Sequence, residues 1–560
     1  MEKIKSSEMS DISAESDIAR HFLLFNDTVG NKKEVVVKQI DKLENLIKNN
    51  ENFQHPKELI DIFKNHKREI NLPNGKKINK APHLLIAGGF IRDILTGHEP
   101  RDIDFATELS GDEVENLLKK HYKIDQEKDR ITLDDGTTIV LKKTGKEFPI
   151  IRIYFRKDGR DEEYEIATFR GPNKKAQTEQ EPEDDKNTVR IPGLDAEARD
   201  LTCNALFYNP LSGRIFDYVG GLKDIQDKKL KFTSDPKKII TEDATRSLRY
   251  VRFLLKTGFS EDDNSISAIK DNLSEVKKLA GDKIMLELIK LSKENKRGLV
   301  LKKLNEFGLL KEIMPEVEAL KDTLNAENND VLSHTEKVLD NLPKESSFEL
   351  VISTYIHDIG KKETRKEFID ENGVKKISFE GFEKKSKEKA PTILRRLRFP
   401  VESIDKVKWL IENHTKVIDL HKMEEYDARE LIKNNNFDDL LSLAIAEDNS
   451  SEANQEIKNE SIDRMNKSID RIKKIRNFLS ENKEVLEDIE KLVSKEANDT
   501  IIEKINVQFK EKNLGEFSLA QNGKLMGQIK DKFRREIANR MIIDTEKSKL
   551  LLDDIIKELA

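Results

Sequence analysis

The pattern of apolar and polar positions changes character once along the chain, near Ser234-Asp235-Pro236. Before that break, short apolar and alternating runs predict strands mixed with a few helices. After it, apolar residues recur at helical spacing to the end. Leu84-Leu85-Ile86-Ala87 reads as a buried strand, and Phe90, Ile91, Ile94 and Leu95, just past Gly88-Gly89, suit the opening of a helix. Asp102-Ile103-Asp104-Phe105 alternates, which puts both carboxylates on one face of a strand and both apolar side chains on the other. Residues 112–120 predict a helix, and 137–141, 150–155 and 164–169 predict strands. Residues 81–235 therefore read as an α/β unit. Residues 1–80 are polar, with helical patches at 35–47 and 59–63, and predict a small helical extension. Residues 171–190 lack apolar periodicity and predict a mobile loop, either a solvated insertion or a gate.

Composition narrows this picture. A chain of 560 residues, 37% charged and 36% hydrophobic, predicts several soluble, helix-rich domains with thin cores. The net charge of −6 does not advertise a nucleic-acid binder, so any such contact would have to come from local basic patches rather than the overall field. Cys203 is the sole cysteine, which excludes an internal disulfide and a cysteine-based zinc cage. No run approaches the roughly 20 apolar residues needed to cross a bilayer. The first residues resemble neither a signal peptide nor a transit peptide, so the expectation is a cytoplasmic protein with no membrane partner.

The candidate chemistry lies at residues 83–107. A glycine pair between strand and helix lets backbone approach a phosphate and aims free N–H groups at it. Two carboxylates on one strand face stay ionised cheaply only with a cation between them. Facing a phosphate-binding turn, Asp102 and Asp104 form the expected ligand set for Mg2+. Glu165, on the alternating stretch that ends at Arg170, is the candidate third carboxylate, against an exposed strand glutamate as the plain alternative.

In this order and spacing, G-G-x-x-R-D followed by D-x-D-x-x-T resembles the nucleotidyltransferase superfamily related to DNA polymerase beta. Its wording is similar to the class II tRNA nucleotidyltransferase and bacterial poly(A) polymerase family. The resemblance covers roughly residues 83–317. It implies a mixed-sheet head with Asp102, Asp104 and Glu165 catalytic, and with Gly88, Gly89, Arg92 and Asp93 at the triphosphate. Arg199, Asp200 and Asn204 match the family's R-R-D-x-x-x-N motif, implicated in ribose and triphosphate contacts, but Ala198 replaces its first arginine. Glu242, Asp243 and Arg246 match E-D-x-x-R, whose Asp and Arg offer acceptors and donors to the base of the incoming nucleotide. Arg246, Arg249, Arg252 and Lys256 share a basic stripe, of which Lys256 reads as plain surface.

A second resemblance, to HD domains, rests on His334, on His357-Asp358 before Gly360-Lys361, and on Asp448. It implies a site for a divalent transition metal or Mg2+. Gly381-Phe382-Glu383 stands where many such domains carry G-H-E, and His414 is the possible partial substitute. The domains expected are an extension (1–80), the catalytic head (81–235), a helical neck (236–325), an HD domain (326–455) and a helical tRNA-contacting region (456–560). In that last region 522–535 offers a modest basic patch, with a solvated face as the alternative. The resemblance implies an enzyme, a monomer or homodimer, that adds C, C and A from CTP and ATP to the tRNA 3′ end. Poly(A) addition and CC-only or A-only addition stand as rivals. So does a reading of another class, an HD phosphohydrolase whose other half only binds RNA.

Overall fold

In the computed structural model, the residues described are 54–71, 77–100, 102–145, 149–170, 192–324, 329–371, 373, 375–451, 455–512 and 519–560. The helical patch expected at 35–47 and the loop expected at 171–190 lie outside them. The chain divides into two compact units. One ends at Leu279 and takes in Phe307–Leu309; the other comprises Ala280–Glu306 and Leu310–Ala560.

The first unit is built on a mixed eight-stranded sheet. Its strands are β3 (Leu85–Ala87), β4 (Asp104–Thr107), β5 (Arg130–Thr132), β6 (Thr138–Thr144), β7 (Ile150–Lys157), β8 (Arg160–Thr168), β9 (Phe207–Asn209) and β10 (Arg214–Phe216), in the order β10-β9-β3-β4-β8-β7-β6-β5. Only β4 and β8 run parallel; all other neighbours are antiparallel. Alternation on β7 sends Ile151, Ile153 and Phe155 into the core and leaves Arg152 and Tyr154 half-exposed. Strands β5, β9 and β10 were not expected, because three residues are too few to show a period. Helix α1 (Gln54–Asn65) buries Leu59, Ile62 and Phe63 and stacks His55 on Phe155. The expected all-helical extension is interrupted after it by a hairpin of β1 (Arg68–Asn71) and β2 (Lys77–Lys80). Its cross-strand pairing supplies the strand character that the polar sequence hides.

Helix α2 (Gly89–Leu95) follows β3 directly, and α3 (Gly111–Tyr122) follows β4. Ser110 and Glu113 form a reciprocal capping box that fixes where α3 starts. Beyond the sheet, Asp235 caps the helix α4 (Pro236–Glu242), and α5 (Thr245–Thr257) ends at Gly258 in the left-handed region.

The second unit is helical apart from the hairpin of β11 (Lys366–Ile369) and β12 (Lys375–Ser378). Four of its helices carry the argument below: α6 (Val331–Asn341), α7 (Phe348–Ile356), α8 (Phe382–Arg396) and α9 (Phe437–Ser450). Gly360, just past α7, meets the start of α8 so closely that a Cβ would lie 2.2 Å from the Phe382 carbonyl oxygen. Toward the C-terminus Ile529, Phe533, Leu552, Ile555 and Ile556 share one apolar core. Arg534 and Arg535, from the expected basic patch, are paired with Glu490 and with Asp531 and Asp427, so much of their charge is neutralised locally. Among the described residues no helix is long and apolar enough to cross a membrane.

Candidate active site and candidate metal centre

Strand β4 starts at Asp104, and the alternation expected of it holds: Asp102 and Asp104 are exposed while Ile103 and Phe105 are buried. Register brings the rest of the site to Asp104. Across one edge it pairs with Ala87, which precedes the glycine turn; across the other it pairs with Glu165. Although Asp104 keeps an exposed surface, protein atoms crowd round its carboxyl; this, then the charges of Glu165 and Asp102, push its pKa up to about 6, with Arg199 opposing. A cation bound beside Asp104 would relieve this crowding. A hard divalent ion bound by oxygens fits this donor set. Glu165 is also held by Arg152, whose Nη2 lies 2.7 Å away.

At the turn, Gly88 adopts φ +76°, a conformation that other residues reach only with strain, and its N–H donates to the Leu206 carbonyl. A Cβ on Gly88 would lie 3.3 Å from Arg199 Nη1, and one on Gly89 would lie 3.2 Å from Arg92 Nη2. The two guanidiniums thus back the turn where the chain has no side chains of its own. Arg92 is 2% exposed; it donates to Asp93 through Nε and Nη2 and to the Asn204 side chain through Nη1, and packs over the Phe253 ring. Asp93 therefore braces Arg92, and Arg92 in turn braces the glycine bend. Arg199 is clamped by Asp195 at 2.9 Å and lies over the Phe207 ring.

The nucleotide-motif residues interlock. Asp200 is buried and takes two bonds from Arg249 on α5, at 2.7 and 2.5 Å. Burial alone would raise the Asp200 pKa, but the Arg249 charge holds it below the usual range. The Ala198 carbonyl, at the position that lacks the family arginine, accepts from Arg170 at 2.8 Å and from Arg246 at 3.0 Å. Arg246 also reaches Glu242 at 3.5 Å. Asp243 accepts from the Thr245 N–H and hydroxyl, a local turn contact between α4 and α5. Two residues gain a role that their sequence pattern left open. Arg170 was visible only as the basic end of an alternating strand. Lys256, read as plain surface, lies 3.4 Å from Asp93; its stripe position alongside Arg249 was the available signal.

The second unit holds a separate cluster. Ligand atoms of His334, His357, Asp358 and Glu447 all lie within 4.8 Å of one another. The sequence chose Asp448 as the last of these; the structure places Glu447 there and turns Asp448 to the Ser461 hydroxyl. The reason is the phase of α9. Leu440, Leu443 and Ala444 face inward, and the next position on that stripe is 447, a full 100° from 448.

His357 Nδ1 donates to the Thr354 carbonyl at 2.7 Å, which leaves Nε2 as the ring nitrogen turned toward the carboxylates. His357 Nε2 lies against Glu447 Oε1 and 3.3 Å from Asp358 Oδ2, while Asp358 Oδ1 is buried without a hydrogen-bond partner. Burial would lower the His357 pKa, but Asp358 and Glu447 push it up to about 10. Three electron-pair donors converging on one point are the arrangement a divalent cation satisfies, so the residues fit a metal. His414 stacks edge-on to His357 at 5.2 Å and to Phe382 at 5.7 Å, next to the cluster and outside the four-residue ligand set.

Three comparisons bear on this arrangement. Residues 84–231 match the family model described as the poly A polymerase head domain, and 258–321 match the one described as the probable RNA and SrmB-binding site of polymerase A. Poly(A) polymerase I of Haemophilus influenzae is 28% identical over 241 residues, covering 42% of this chain and 48% of that protein. The CCA-adding enzyme of Bacillus pumilus is 34% identical over 211 residues, covering 37% and 45%. The chain thus spans about half the length of the curated relatives it matches. A solved Bacillus stearothermophilus CCA-adding enzyme in complex with CTP aligns over 90% of this chain and 97% of its own, with a TM-score of 0.51 at 17% identity, which shows a shared fold.

Proposed function

We propose that this protein, whose residues 84–231 match the model described as the poly A polymerase head domain, extends RNA 3′ ends without a nucleic-acid template. The specific reaction we infer is addition of C, C and A from CTP and ATP to the 3′ end of tRNA. The observation that carries the reading is the acid trio of Asp102, Asp104 and Glu165, set by strand register against the Gly88-Gly89 turn.

Asp102 and Asp104 would hold magnesium, which when bound neutralises the triphosphate and lowers the cost of ionising the attacking 3′ hydroxyl. Glu165 orients that hydroxyl or takes its proton. Gly88 and Gly89 admit the phosphates to backbone N–H groups, while Arg199 faces them and Arg92 keeps the turn in shape. Positioning and charge balance of this kind account for most of the rate in phosphoryl and nucleotidyl transfer. Asp243 and Arg246 present an acceptor and donors to the base. In this reading residues 236–325 form the neck, 326–455 the HD domain and 456–560 the region that contacts the body of the tRNA.

Incubating the protein with tRNA transcripts lacking the final A, CA or CCA, with single labelled nucleotides and magnesium, tests the proposal. CTP should extend the two shorter ends, and ATP only the end that carries CC. Indefinite ATP addition would instead favour a poly(A) polymerase, a name that one relative bears. Incorporation at one step only would mark a CC-only or A-only enzyme.

A second activity is favoured by the His334, His357, Asp358 and Glu447 cluster. It would hold a transition metal or magnesium and support phosphohydrolysis. Loss of p-nitrophenyl phosphate or cyclic-phosphate cleavage in His357→Ala, with nucleotide incorporation intact, is the expected result.

A further inference from the structure

The two sides of Asp104 differ. On the β3 side its partner is Ala87, and the sheet leads to the Gly88-Gly89 turn. On the other side a single cross-strand row runs Asp104, Glu165, Arg152, Lys142 over β4, β8, β7 and β6. Residues paired across neighbouring strands share a face, so these four side chains stand in line, two acids followed by two bases. Strands lie about 4.8 Å apart, which puts the Arg152 backbone about 10 Å from that of Asp104 along the row. With the triphosphate at the glycine turn, the RNA end has to reach the acids from the β8 side. Its terminal nucleotide then spans from a 3′ hydroxyl at the acids to a 5′ phosphate at the bases.

The bases have donors to give. Arg152 commits Nη2 to Glu165 at 2.7 Å, while its Nε stands 3.6 Å from Glu163, outside hydrogen-bonding range. A guanidinium carries five N–H donors, so others remain for a second anion. Lys142 is exposed, with its ammonium 5.4 Å from the Tyr154 ring centroid, and among the described residues it has no carboxylate partner. Farther along this face the charges are matched. The Tyr154 hydroxyl donates to Glu163 at 3.1 Å, and Arg156 pairs with Asp161 at 3.1 Å. The positive charge that no acid balances is thus confined to the Lys142 end of the first row, which suits one phosphate rather than a long track.

We infer that Arg152 and Lys142 bind the phosphate on the 5′ side of the RNA's terminal nucleotide, and that Arg152 thereby ties the position of the RNA end to that of Glu165. The inference rests on the 3′-extension reading above and adds where the RNA strand lies and which side chains hold it.

The test uses the full chain and synthetic acceptor-stem minihelices lacking the final A or all of CCA. Each carries either a normal phosphate or an uncharged methylphosphonate at its last internucleotide linkage. Incorporation kinetics at saturating nucleotide give the KM for RNA, and anisotropy titration without nucleotide gives the Kd. In the unsubstituted protein the methylphosphonate should raise both about tenfold, the loss of one charge-assisted hydrogen bond. In Arg152→Gln combined with Lys142→Gln it should have no further effect. Lys142→Gln alone, which leaves the Glu165 pair intact, should raise the RNA KM about threefold. Arg152→Gln should also flatten the plot of log affinity against log salt by about 0.7, one single-strand phosphate contact. Arg152→Lys should keep that slope, and the nucleotide KM at saturating RNA should stay put throughout. A methylphosphonate penalty of equal size in the double variant would overturn the inference. So would a fall in kcat alone with RNA KM, Kd and salt slope untouched, the behaviour of a residue that only holds Glu165. No incorporation of any nucleotide into the unmodified minihelices would overturn both the inference and the reading beneath it.

Discussion

At the scale of single residues, two sites depend on which carboxylate is aimed where. Glu447 faces the two histidines while its neighbour Asp448 turns to Ser461, so the two should separate cleanly on substitution. Glu447→Gln is expected to abolish Mn2+ binding in the second unit, and Asp448→Asn to leave it within about threefold, as read by calorimetry. In the head, Asp104 carries the raised carboxyl, near 6, and a proton there competes with a cation for the same oxygens. The magnesium concentration needed for half-maximal incorporation should therefore climb as pH falls from 7 to 5.5; a flat requirement would take Asp104 out of the ion's ligand set. Legibility at this scale followed chemistry. A D-x-D on a strand declares its shared face through period-two alternation, so Asp102 and Asp104 could be read directly. The choice between 447 and 448 depended on helix phase, which two adjacent acids do not reveal until the apolar stripe of α9 is traced.

At the scale of elements, close approaches decide more than propensity does. Gly360 sits where the loop after α7 touches α8, and its N–H donates to the Ser386 hydroxyl. Gly360→Ala would force that contact apart and should cost about 1–3 kcal/mol by urea unfolding, a typical price of overpacking. Helix α5 is tied to the rest of the head along its length: Asp243 accepts from Thr245 at its start, Arg246 and Arg249 hold Ala198 and Asp200, and Lys256 reaches Asp93. Asp243→Ala should lose about 1 kcal/mol of stability through the missing hydrogen bonds to Thr245. It should also relax the preference for CTP and ATP in a four-nucleotide comparison, by more than it slows the preferred addition. The sequence marked this helix and its basic stripe. It did not mark the carbonyl at Ala198 that the stripe grips, because a backbone acceptor has no residue type.

At the scale of the whole molecule, the chain is a mixed-sheet head followed by a helical remainder, and ionisable groups tie stability to pH through their crowding. Glu336 on α6 has its carboxyl raised to about 7, first by burial and then by Asp330, Glu306 and Asp340, with Lys302 opposing. A carboxyl whose folded pKa exceeds the unfolded value near 4.5 binds its proton more tightly when folded. Its stabilising contribution is complete below about 4.5 and is lost as pH rises through 7. Glu336→Gln should thus raise the unfolding temperature at pH 7.5 and have little effect at pH 4.5; the opposite order would mean the carboxylate has a cationic partner when folded. The sequence by itself determined the α/β-to-helical change near Ser234, the glycine turn, the acid pair and the positions of His334 and His357-Asp358, because each is written in local spacing or in residue types that few other roles require. Tertiary structure decided what local spacing cannot hold. Strand register set Glu165 opposite Asp104 and Arg152 opposite Glu165, helix phase chose Glu447, and cross-strand pairing made a hairpin of the polar stretch after α1. Contacts between residues tens or hundreds of positions apart leave no period in the chain, so only the folded arrangement can specify them.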